Sequence, residues 1–454
     1  MKIIIVGAGE VGYHLAGRLA LENKDVVLID TRGEAIRRVA DSIDVQTIQG
    51  SGSSPVILEQ AGIKEADILL AVTDSDETNL VSCLVADILS PSTQKLARLR
   101  SVDFEAYHQI FKERQPHIER VINPEIEMIG TIENMLSAPG AADIAEFAQG
   151  RVLVVGVRLE RQSPFIGIRL AELPAHAQTA PPLIAAIVRQ EQLIVPTGAD
   201  RLAANDVVYF ICKADDTATH LALFGKDSRP AKRVLIVGGG RAGYRLAQQL
   251  EAKSIHVKIV DRDRARCDSL AEILNNTIVL CGDGTDRVLL EEENVREMDG
   301  VVALTNDEET NILVSLLAKQ MGARKAITKI SKFNYLPLMD PIGIEQVVSP
   351  RLSAINTILH HIRRGRIFAA ISLKGEQAEV LEAEALETAQ VVGKPLKDLK
   401  FPKGALLGCI IRGEDVMIPS GDSIVRPGDH IIIIARRDAV AQVETFLTVK
   451  LEYF

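Results

Sequence analysis

The chain carries the same glycine-rich pattern twice, at a constant spacing. Each copy reads as four apolar residues followed by G-x-G-x-x-G, which starts at Gly7 in one copy and at Gly238 in the other. Each copy continues into a helix-like stretch and a second apolar run that ends in an acid, Asp30 or Asp261. The second pattern and its acid both lie 231 residues after the first. Because chance rarely repeats a pattern together with its context, the sequence predicts two copies of one strand–turn–helix–strand unit.

The residue types of this pattern suit the binding of a nucleotide. Gly7 permits the tight turn that leaves the strand, Gly9 lets a pyrophosphate approach the backbone, and Gly12 lets the helix pack closely on the sheet. The helix that begins here directs unpaired N–H groups and a positive dipole end at that phosphate. Asp30 can accept hydrogen bonds from the adenosine ribose and would repel a 2′-phosphate, which favours NAD(H) over NADP(H). ATP, ADP or AMP would fit the same half of the site, and the second copy is also compatible with a fold that has lost its ligand.

The repeat extends beyond the glycines and predicts the fold class. Strands alternate with amphipathic helices in each copy, which predicts an α/β chain with two doubly wound parallel-sheet, Rossmann-like domains. A shorter β-rich segment follows each copy and predicts a small α+β domain. Residues 126–140 and 352–364 are expected to form helices that bridge each large domain to its own small domain. The predicted domains are, in chain order, residues 1–125, 140–225, 232–350 and 366–454.

Polar side chains at the ends of later strands are further candidates for ligand contacts. Thr73 and Thr305 end equivalent predicted strands, and ligands of open α/β sheets lie beyond the carboxyl ends of the strands. Their hydroxyl groups are expected either to face the ribose or pyrophosphate or simply to cap the strand end. Ser51 and Asp283 end the preceding strand of each copy, where they either reach the adenine side or only form a turn.

Two arginines of the first copy predict a phosphate contact. Residues 96–100 read as a strand in which Arg98 and Arg100 share one face. A buried strand carries arginine only where an anion neutralises the charge, and either a phosphate or an internal aspartate would serve. In the second copy Thr328 aligns with Arg98, and Lys329 falls on the opposite face. The sequence therefore predicts a weaker phosphate contact in the second copy.

Composition narrows the class of function. The net charge of −9 and an aromatic content of 4% with no Trp argue against a nucleic-acid surface. No apolar run approaches the ~20 residues of a membrane-spanning helix, and the first predicted strand starts at residue 2, so no signal peptide is expected. The five cysteines form no C-x-x-C pair, which argues against a metal or disulfide role. The small domains offer no convincing general acid or base, so the chain is predicted to sense a ligand rather than to act as an enzyme.

The tandem arrangement resembles the bacterial Trk potassium uptake regulators, the TrkA family, which are built from two regulator-of-K⁺-conductance (RCK) units. The motifs that carry the resemblance are residues 1–9, 72–79, 96–100, 237–240, 304–308 and 412–418. The resemblance covers essentially the whole chain and implies a peripheral protein on the cytoplasmic face of the inner membrane. It implies a potassium-translocating membrane subunit of the TrkH or TrkG type as partner, and large domains that bind NAD(H) and, in some members, ATP or ADP. The duplicated halves suit a homo-oligomer, and the acidic net charge means that membrane association comes through the partner rather than through anionic lipid.

The resemblance also implies which residues contact the nucleotide. Carried over by position, the first site consists of Gly7, Ala8, Gly9, Glu10, Val11, Asp30, Thr73, Asp74 and Arg98. The second site consists of Gly238, Gly239, Gly240, Arg241, Ala242 and Asp261. Two other functions remain compatible with the sequence. One is an NAD(P)-dependent oxidoreductase, and the other is a regulatory module of a different cation transporter.

Overall fold

The computed structural model describes residues 1–447 apart from 139, 178, 180, 191, 227–228, 363–366 and 374–377. The described residues form two compact units. The first unit is Met1–Met128 with Ser349–Ile362, and the second is Ile129–Val348 with the described part of 363–454. No helix in the described part of the chain is long and apolar enough to cross a membrane.

The first large domain is a six-stranded parallel sheet with helices between its strands. The strands are β1 (Lys2–Val6), β2 (Asp25–Asp30), β3 (Gln46–Gln49), β4 (Ile68–Ala71), β5 (Gln94–Arg98) and β6 (Ile118–Ile122). The helices are α1 (Glu10–Leu21), α2 (Gly33–Ser42), α3 (Pro55–Gln60), α4 (Asp76–Leu89), α5 (His108–Glu113) and α6 (Pro124–Ser137). The strand order is β3-β2-β1-β4-β5-β6, and Ile3, Ile4 and Ile5 of the central strand are fully buried. The order reverses between β1 and β4, where sheets of this kind bind ligands.

The second large domain repeats this topology. Its strands are β12 (Arg233–Val237), β13 (His256–Asp261), β14 (Ile278–Cys281), β15 (Gly300–Ala303), β16 (Ala326–Lys329) and β17 (Gln346–Val348). Its helices are α9 (Arg241–Ala252), α10 (Arg264–Ile273), α11 (Arg287–Glu292), α12 (Glu308–Gln320), α13 (Leu336–Met339) and α14 (Pro350–Ile362). The strand order is β14-β13-β12-β15-β16-β17, again parallel. The predicted pair of Rossmann-like domains is therefore confirmed.

Each small domain is built on a five-stranded antiparallel sheet. The first contains β7 (Asp143–Phe147), β8 (Val152–Arg158), β9 (Leu183–Arg189), β10 (Gln192–Ile194) and β11 (Val207–Lys213), with α7 (Leu173–His176) and α8 (Thr217–Leu223). The second contains β18 (Ile367–Leu373), β19 (Ala378–Glu384), β20 (Ala405–Arg412), β21 (Asp415–Met417) and β22 (His430–Arg436), with α15 (Val440–Leu447). Both sheets contribute to one apolar core, in which Val154 and Ile211 of the first lie with Cys409 and Ile432 of the second. The small domains therefore pack on each other, which the sequence did not indicate.

The two predicted bridging helices are present, but each packs on the large domain of the other half. Helix α14, in the second half of the sequence, belongs to the first unit and contacts α1 and β6. In the second unit, the carbonyl oxygen of Leu136 in α6 accepts a hydrogen bond from the backbone N–H of Ala231 at 3.0 Å. The Lys325 Nζ likewise donates to the carbonyl oxygen of Met135 at 2.8 Å. The two helices therefore connect each large domain to its own small domain in chain order, while the contacts named here are with the large domain of the other half. Apolar periodicity predicts that a helix has a buried face, but it does not specify which surface covers that face.

Candidate functional site

A cleft opens in each large domain at the carboxyl ends of the central strands. The first has a volume of about 1000 Å³ and is lined by the glycine turn after β1, the end of β2 and the segment after β4. The second has a volume of about 530 Å³ and is lined by the equivalent segments after β12, β13 and β15. Both volumes fall in the range of small-molecule sites, and both clefts lie where the strand order reverses.

The three glycines of the first turn have the three predicted geometries. Gly7 has φ +110°, which favours glycine, and a Cβ built on it would lie 3.0 Å from the Thr73 nitrogen. A Cβ on Gly12 would lie 1.8 Å from the Gly7 carbonyl oxygen, so the helix can approach the turn only because Gly12 has no side chain. A Cβ on Gly9 would meet nothing within 4 Å. The backbone at Gly9 therefore faces open space in the cleft, as the approach of a phosphate group requires.

The second turn repeats this geometry. Gly238 has φ +111°, and a Cβ on Gly243 would lie 1.9 Å from the Gly238 carbonyl oxygen. A Cβ on Gly240 would again meet nothing within 4 Å. The residue between the first two glycines of the pattern is different. In the second turn it is Gly239, and a Cβ built on Gly239 would lie 2.5 Å from the side chain of Leu270. The second turn is thus open to a ligand at Gly240 and closed by α10 at Gly239.

The predicted contact residues are distributed unequally between the clefts. All of those predicted for the first site line the first cleft, namely Gly7, Ala8, Gly9, Glu10, Val11, Asp30, Thr73, Asp74 and Arg98. Of those predicted for the second site, Gly238, Gly240 and Asp261 line the second cleft. Gly239, Arg241 and Ala242 are not among its described lining residues. Arg241 is exposed and Ala242 is buried in the start of α9.

Asp30 anchors the glycine turn as well as lining the cleft. Its Oδ2 accepts a hydrogen bond from the Ala8 nitrogen at 2.7 Å, and its Oδ1 accepts one from the Arg32 nitrogen at 2.8 Å. The Arg32 side chain also pairs with Oδ1 at 3.2 Å. Burial raises the pKa of the Asp30 carboxyl, but the hydrogen bonds from Arg32 and Ala8 outweigh it and hold the pKa below its ordinary value. Asp30 is therefore ionised at neutral pH, as an acceptor for ribose hydroxyl groups must be.

Asp261 has the same role in the second domain with different neighbours. Its Oδ2 accepts a hydrogen bond from the Gly239 nitrogen at 2.6 Å, and its Oδ1 accepts one from the Asp263 nitrogen at 2.9 Å. Asp263 thus stands where the first domain has Arg32. An arginine is still present near the turn, because Arg266 Nε donates to the Gly239 carbonyl oxygen at 2.5 Å.

Thr73 caps the end of its strand, and the residue that holds it there was missed in the sequence. The Thr73 nitrogen and hydroxyl group lie 2.9 Å and 2.7 Å from Oδ1 of Asn79, which is fully buried. Asn79 Nδ2 donates to the carbonyl oxygens of Thr73 and Arg98, at 3.1 Å and 2.8 Å. Thr305 and Asn311 form the same network in the second domain. Asparagine at matching places of both repeats was the available signal for this link between neighbouring strand ends.

Ser51 and Asp283 both line their clefts and both form turns. The hydroxyl groups of Ser51 and Ser53 lie 2.7 Å apart. Asp283 Oδ1 accepts hydrogen bonds from the Thr285 nitrogen at 2.8 Å and from its hydroxyl group at 2.7 Å. The hydrogen bonds of both residues are therefore those of a turn, which is one of the two alternatives expected. Both residues also lie at the edge of a cleft.

Arg98 lies at the carboxyl end of β5, with a side chain that is only 11% exposed. Its Nη1 contacts Asp74 Oδ1 at 3.1 Å, but its Nε is buried without a hydrogen-bond partner among the described residues. Arg100 follows the end of the strand and donates to the Asp74 carbonyl oxygen. Burial lowers the pKa of the Arg98 guanidinium, and the charges of Arg100 and Arg351 lower it further, against the opposing effect of Asp74. An internal aspartate, Asp74, therefore pairs with one nitrogen of Arg98, as one of the two alternatives expected. The unpaired Nε leaves Arg98 able to bind an anion as well.

The predicted alignment of Arg98 with Thr328 is wrong by one residue. Asn79 donates to the carbonyl oxygen of Arg98, and Asn311 donates to that of Lys329, so Lys329 occupies the place of Arg98. Thr328 is instead buried, with its hydroxyl group 2.7 Å from that of Ser315. A short alternating strand gives no internal marker of register, which is why the sequence alone did not resolve this. Lys329 Nζ donates to the Thr305 carbonyl oxygen at 3.2 Å and does not line the second cleft as described.

Comparison with known proteins identifies both kinds of domain. The TrkA-N domain profile matches residues 3–124 and 234–350, and the TrkA-C domain profile matches residues 154–225 and 380–448. The Trk system potassium uptake protein TrkA of Azorhizobium caulinodans is 38% identical, with 100% of both chains covered. The proteins of the same name from Halomonas elongata and Vibrio alginolyticus are 38% and 36% identical, over 100% and 98% of this chain and of their own lengths.

Solved structures share the fold. The GsuK RCK domain aligns with a TM-score of 0.59 and 18% identity, over 98% of this chain and 94% of its own. The GsuK channel bound to NAD aligns with the same score and identity, over 98% of this chain and 78% of its own. At 18% identity this similarity concerns the fold alone: the strands and helices of this chain are arranged as in these solved structures.

Proposed function

Because the chain belongs to the TrkA family of Trk system potassium uptake proteins, we propose that it is the nucleotide-binding regulatory subunit of such a system. The proposed ligands are NAD(H) and adenine nucleotides, bound in the two clefts. The proposed partner is a potassium-translocating membrane subunit of the TrkH or TrkG type. The chain would lie on the cytoplasmic face of the inner membrane as a homo-oligomer, attached through that partner.

The observation that carries this proposal is the first cleft itself. A glycine turn with an open backbone position at Gly9 and the ionised Asp30, which is hydrogen-bonded to that turn, line one cleft of about 1000 Å³. The turn opens into α1, whose first N–H groups suit a phosphate. The guanidinium of Arg98, whose Nε has no hydrogen-bond partner among the described residues, supplies positive charge farther along the cleft. These features together match a dinucleotide or a nucleoside polyphosphate better than a small uncharged substrate.

The proposed mechanism is a shift between arrangements of the large domains. A ligand changes such an equilibrium only by its difference in affinity for the arrangements. Each cleft is formed by strand ends and turns that a ligand would contact together, so occupancy can favour one arrangement. Transmitted to the membrane subunit, this preference would change the probability that the potassium pathway is open.

Isothermal titration with NADH, NAD⁺, ATP and ADP tests the binding step. The variants are Gly9→Ala and Gly240→Ala, in which the added Cβ meets no protein atom within 4 Å but occupies the space for a phosphate. We expect each variant to lose the binding at its own cleft and to keep the other. A wild-type chain that binds none of the four nucleotides would refute the proposal.

Potassium flux tests the regulatory step. The chain is added to liposomes that contain a TrkH-type subunit, and flux is measured with and without each nucleotide that binds. We expect nucleotide-dependent flux with the wild-type chain and a loss of that dependence with Gly9→Ala. If titration shows nucleotide binding but potassium flux is the same with and without nucleotide, the regulatory role is contradicted. The proposed binding of nucleotide would still stand.

A further inference from the structure

Two cysteines lie side by side in the second large domain, next to its cleft. Cys267 lies in α10 and is buried, whereas Cys281 ends β14 and is exposed. Helix α10 packs on β14, and the Cys267 sulfur is within hydrogen-bond distance of the carbonyl oxygens of Asp261 and Leu280, at 3.3 Å and 3.6 Å. Asp261 is paired with Cys281 across the two strands, and Leu280 precedes Cys281 in the chain. The Cys267 sulfur therefore lies against the backbone beside Cys281.

The two thiols also contact each other, and they differ in their access to solvent. Burial raises the pKa of the Cys267 thiol to about 11, and the hydrogen bond with Cys281 and the charge of Asp261 contribute to the rise. At neutral pH Cys267 is therefore a protonated thiol beside a second thiol that solvent reaches. Because the thiolate is the attacking species in thiol chemistry and needs access to its reagent, a reagent in solution reacts first with Cys281.

We propose that Cys281 and Cys267 form a reversible disulfide when the chain is exposed to a low-molecular-weight disulfide such as oxidised glutathione. The Cys281 thiolate attacks one sulfur of the reagent, which forms a mixed disulfide and releases one thiolate. Cys267 then loses its proton to solvent, and its sulfur attacks the Cys281 sulfur. This step closes the internal disulfide and releases the second thiolate. The chain loses two electrons and two protons, and the reagent is reduced to two thiols.

The pair is specific to the second domain. Ile36 stands at the position of Cys267, because α2 and α10 begin with matching backbone hydrogen bonds. Gln49 stands at the position of Cys281, because each is paired with the acid that ends the neighbouring strand. The three other cysteines lie buried in apolar cores, away from a reagent in solution: Cys83, Cys212 and Cys409. Oxidation is therefore expected at one place in the chain.

The disulfide would alter the wall of the second cleft. The carbonyl oxygen of Asp261 accepts from Cys267 and also from the nitrogen of Gly282, and both Asp261 and Gly282 line the cleft. Oxidation removes the thiol proton from this arrangement, and a bond of about 2 Å between the sulfurs draws α10 toward the end of β14. The reduced turn has the geometry of the first turn, so this movement departs from it. We expect weaker nucleotide binding in the oxidised second cleft, a consequence that rests on the proposed function.

Mass spectrometry of the full chain tests the disulfide itself. The reduced chain is incubated with oxidised glutathione, and its intact mass and its proteolytic peptides are measured. We expect a chain lighter by two hydrogens, with Cys267 and Cys281 in one cross-linked peptide pair that dithiothreitol separates. Cys267→Ser should stop at a glutathione adduct on Cys281, and Cys281→Ser should leave Cys267 unmodified over the same time. Cys212→Ala, the control, should form the disulfide as the wild-type chain does.

Two results of this measurement would overturn the inference. A wild-type chain that accumulates only the glutathione adduct on Cys281 would show that Cys267 does not reach it. A wild-type chain in which neither cysteine reacts would show that the exposed thiol is not a modification site. Both results are independent of nucleotide, so they leave the proposed function standing.

Titration with NADH, NAD⁺, ATP and ADP tests the consequence for the cleft, in a Gly9→Ala background that leaves the second cleft as the binding site. We expect the oxidised chain to bind at least about threefold more weakly than the reduced chain. Cys281→Ser in the same background should bind equally before and after treatment with oxidised glutathione. Equal affinity of the reduced and the disulfide-bonded chain would overturn the coupling to the cleft. A reduced chain that binds no nucleotide there would refute the proposed function of this cleft together with the coupling, while the mass measurement would still decide the disulfide.

Discussion

Replacing the buried Asn79 with alanine should destabilise the first large domain far more than replacing an exposed asparagine does. The Asn79 side chain is fully buried and joins the ends of β4 and β5. It accepts from the Thr73 nitrogen at 2.9 Å and donates to the carbonyl oxygens of Thr73 and Arg98. Asn79→Ala leaves these three backbone groups without that partner, and each such loss costs about 1 kcal/mol beside a cleft that admits water. The expected decrease in the free energy of unfolding is therefore about 3 kcal/mol.

Denaturant unfolding followed by far-ultraviolet circular dichroism measures this decrease. Asn276→Ala removes an exposed side chain of the same type and should change the free energy of unfolding by less than about 0.5 kcal/mol. Asn311→Ala removes the equivalent network in the second domain and should cost as much as Asn79→Ala. Asn79→Asp keeps the shape but turns an acceptor toward two carbonyl oxygens, so its cost should be at least as large. If Asn79→Ala is no more destabilising than Asn276→Ala, the network does not hold the strand ends and the reasoning fails.

Three further predictions concern two glycines of the first turn and one buried lysine. Gly9→Ala should leave the melting temperature unchanged, since Gly9 has φ −68° and open space at its Cβ. Gly12→Ala should lower the free energy of unfolding by at least about 2 kcal/mol, since its Cβ would lie 1.8 Å from a carbonyl oxygen. Burial lowers the pKa of Lys325 to about 7, against the charges of Asp143 and Glu345. Because the unfolded amine keeps its proton up to about pH 10, unfolding takes up a proton above pH 7 and stability rises with pH. Lys325→Met should remove roughly 1 kcal/mol per pH unit of that rise between pH 8 and 10, and an unchanged slope would refute the buried titration.

The sequence was sufficient for the architecture because the repeat encodes it locally. Each glycine turn requires a strand before it and a helix after it, and an acid at the end of the next strand fixes the second strand. These constraints act within about 30 residues, where period and turn residues are informative. The parallel, doubly wound sheets and the placement of the clefts at the carboxyl ends of the strands followed from them. Gly7, Gly9 and Asp30 accordingly all line the first cleft.

Contacts between distant segments were beyond the reach of such local patterns. Arg351 enters the first cleft because α14 packs on α1, and no periodicity in either helix identifies the other as its partner. The shared core of the two small domains arises in the same way, since each sheet simply shows an apolar face in sequence. The register of Lys329 was missed for a different reason. Only the hydrogen bond from Asn311 distinguishes its position from that of Thr328.

The comparison between the copies separates the scaffold from the ligand site within one molecule. The groups that agree are those that satisfy the backbone: the first and last turn glycines, the acids that accept from the turn, and the threonine–asparagine pairs. The groups that differ are charged residues at equivalent positions: Lys329, which is not among the described lining residues of the second cleft, stands where the first domain has Arg98, and Asp263 stands where it has Arg32. Substituting a backbone partner destabilises the domain whatever the ligand, whereas substituting a facing charge changes only what binds. A duplicated domain can therefore keep its stability while its ligand changes, and we expect the two clefts to respond to different nucleotides.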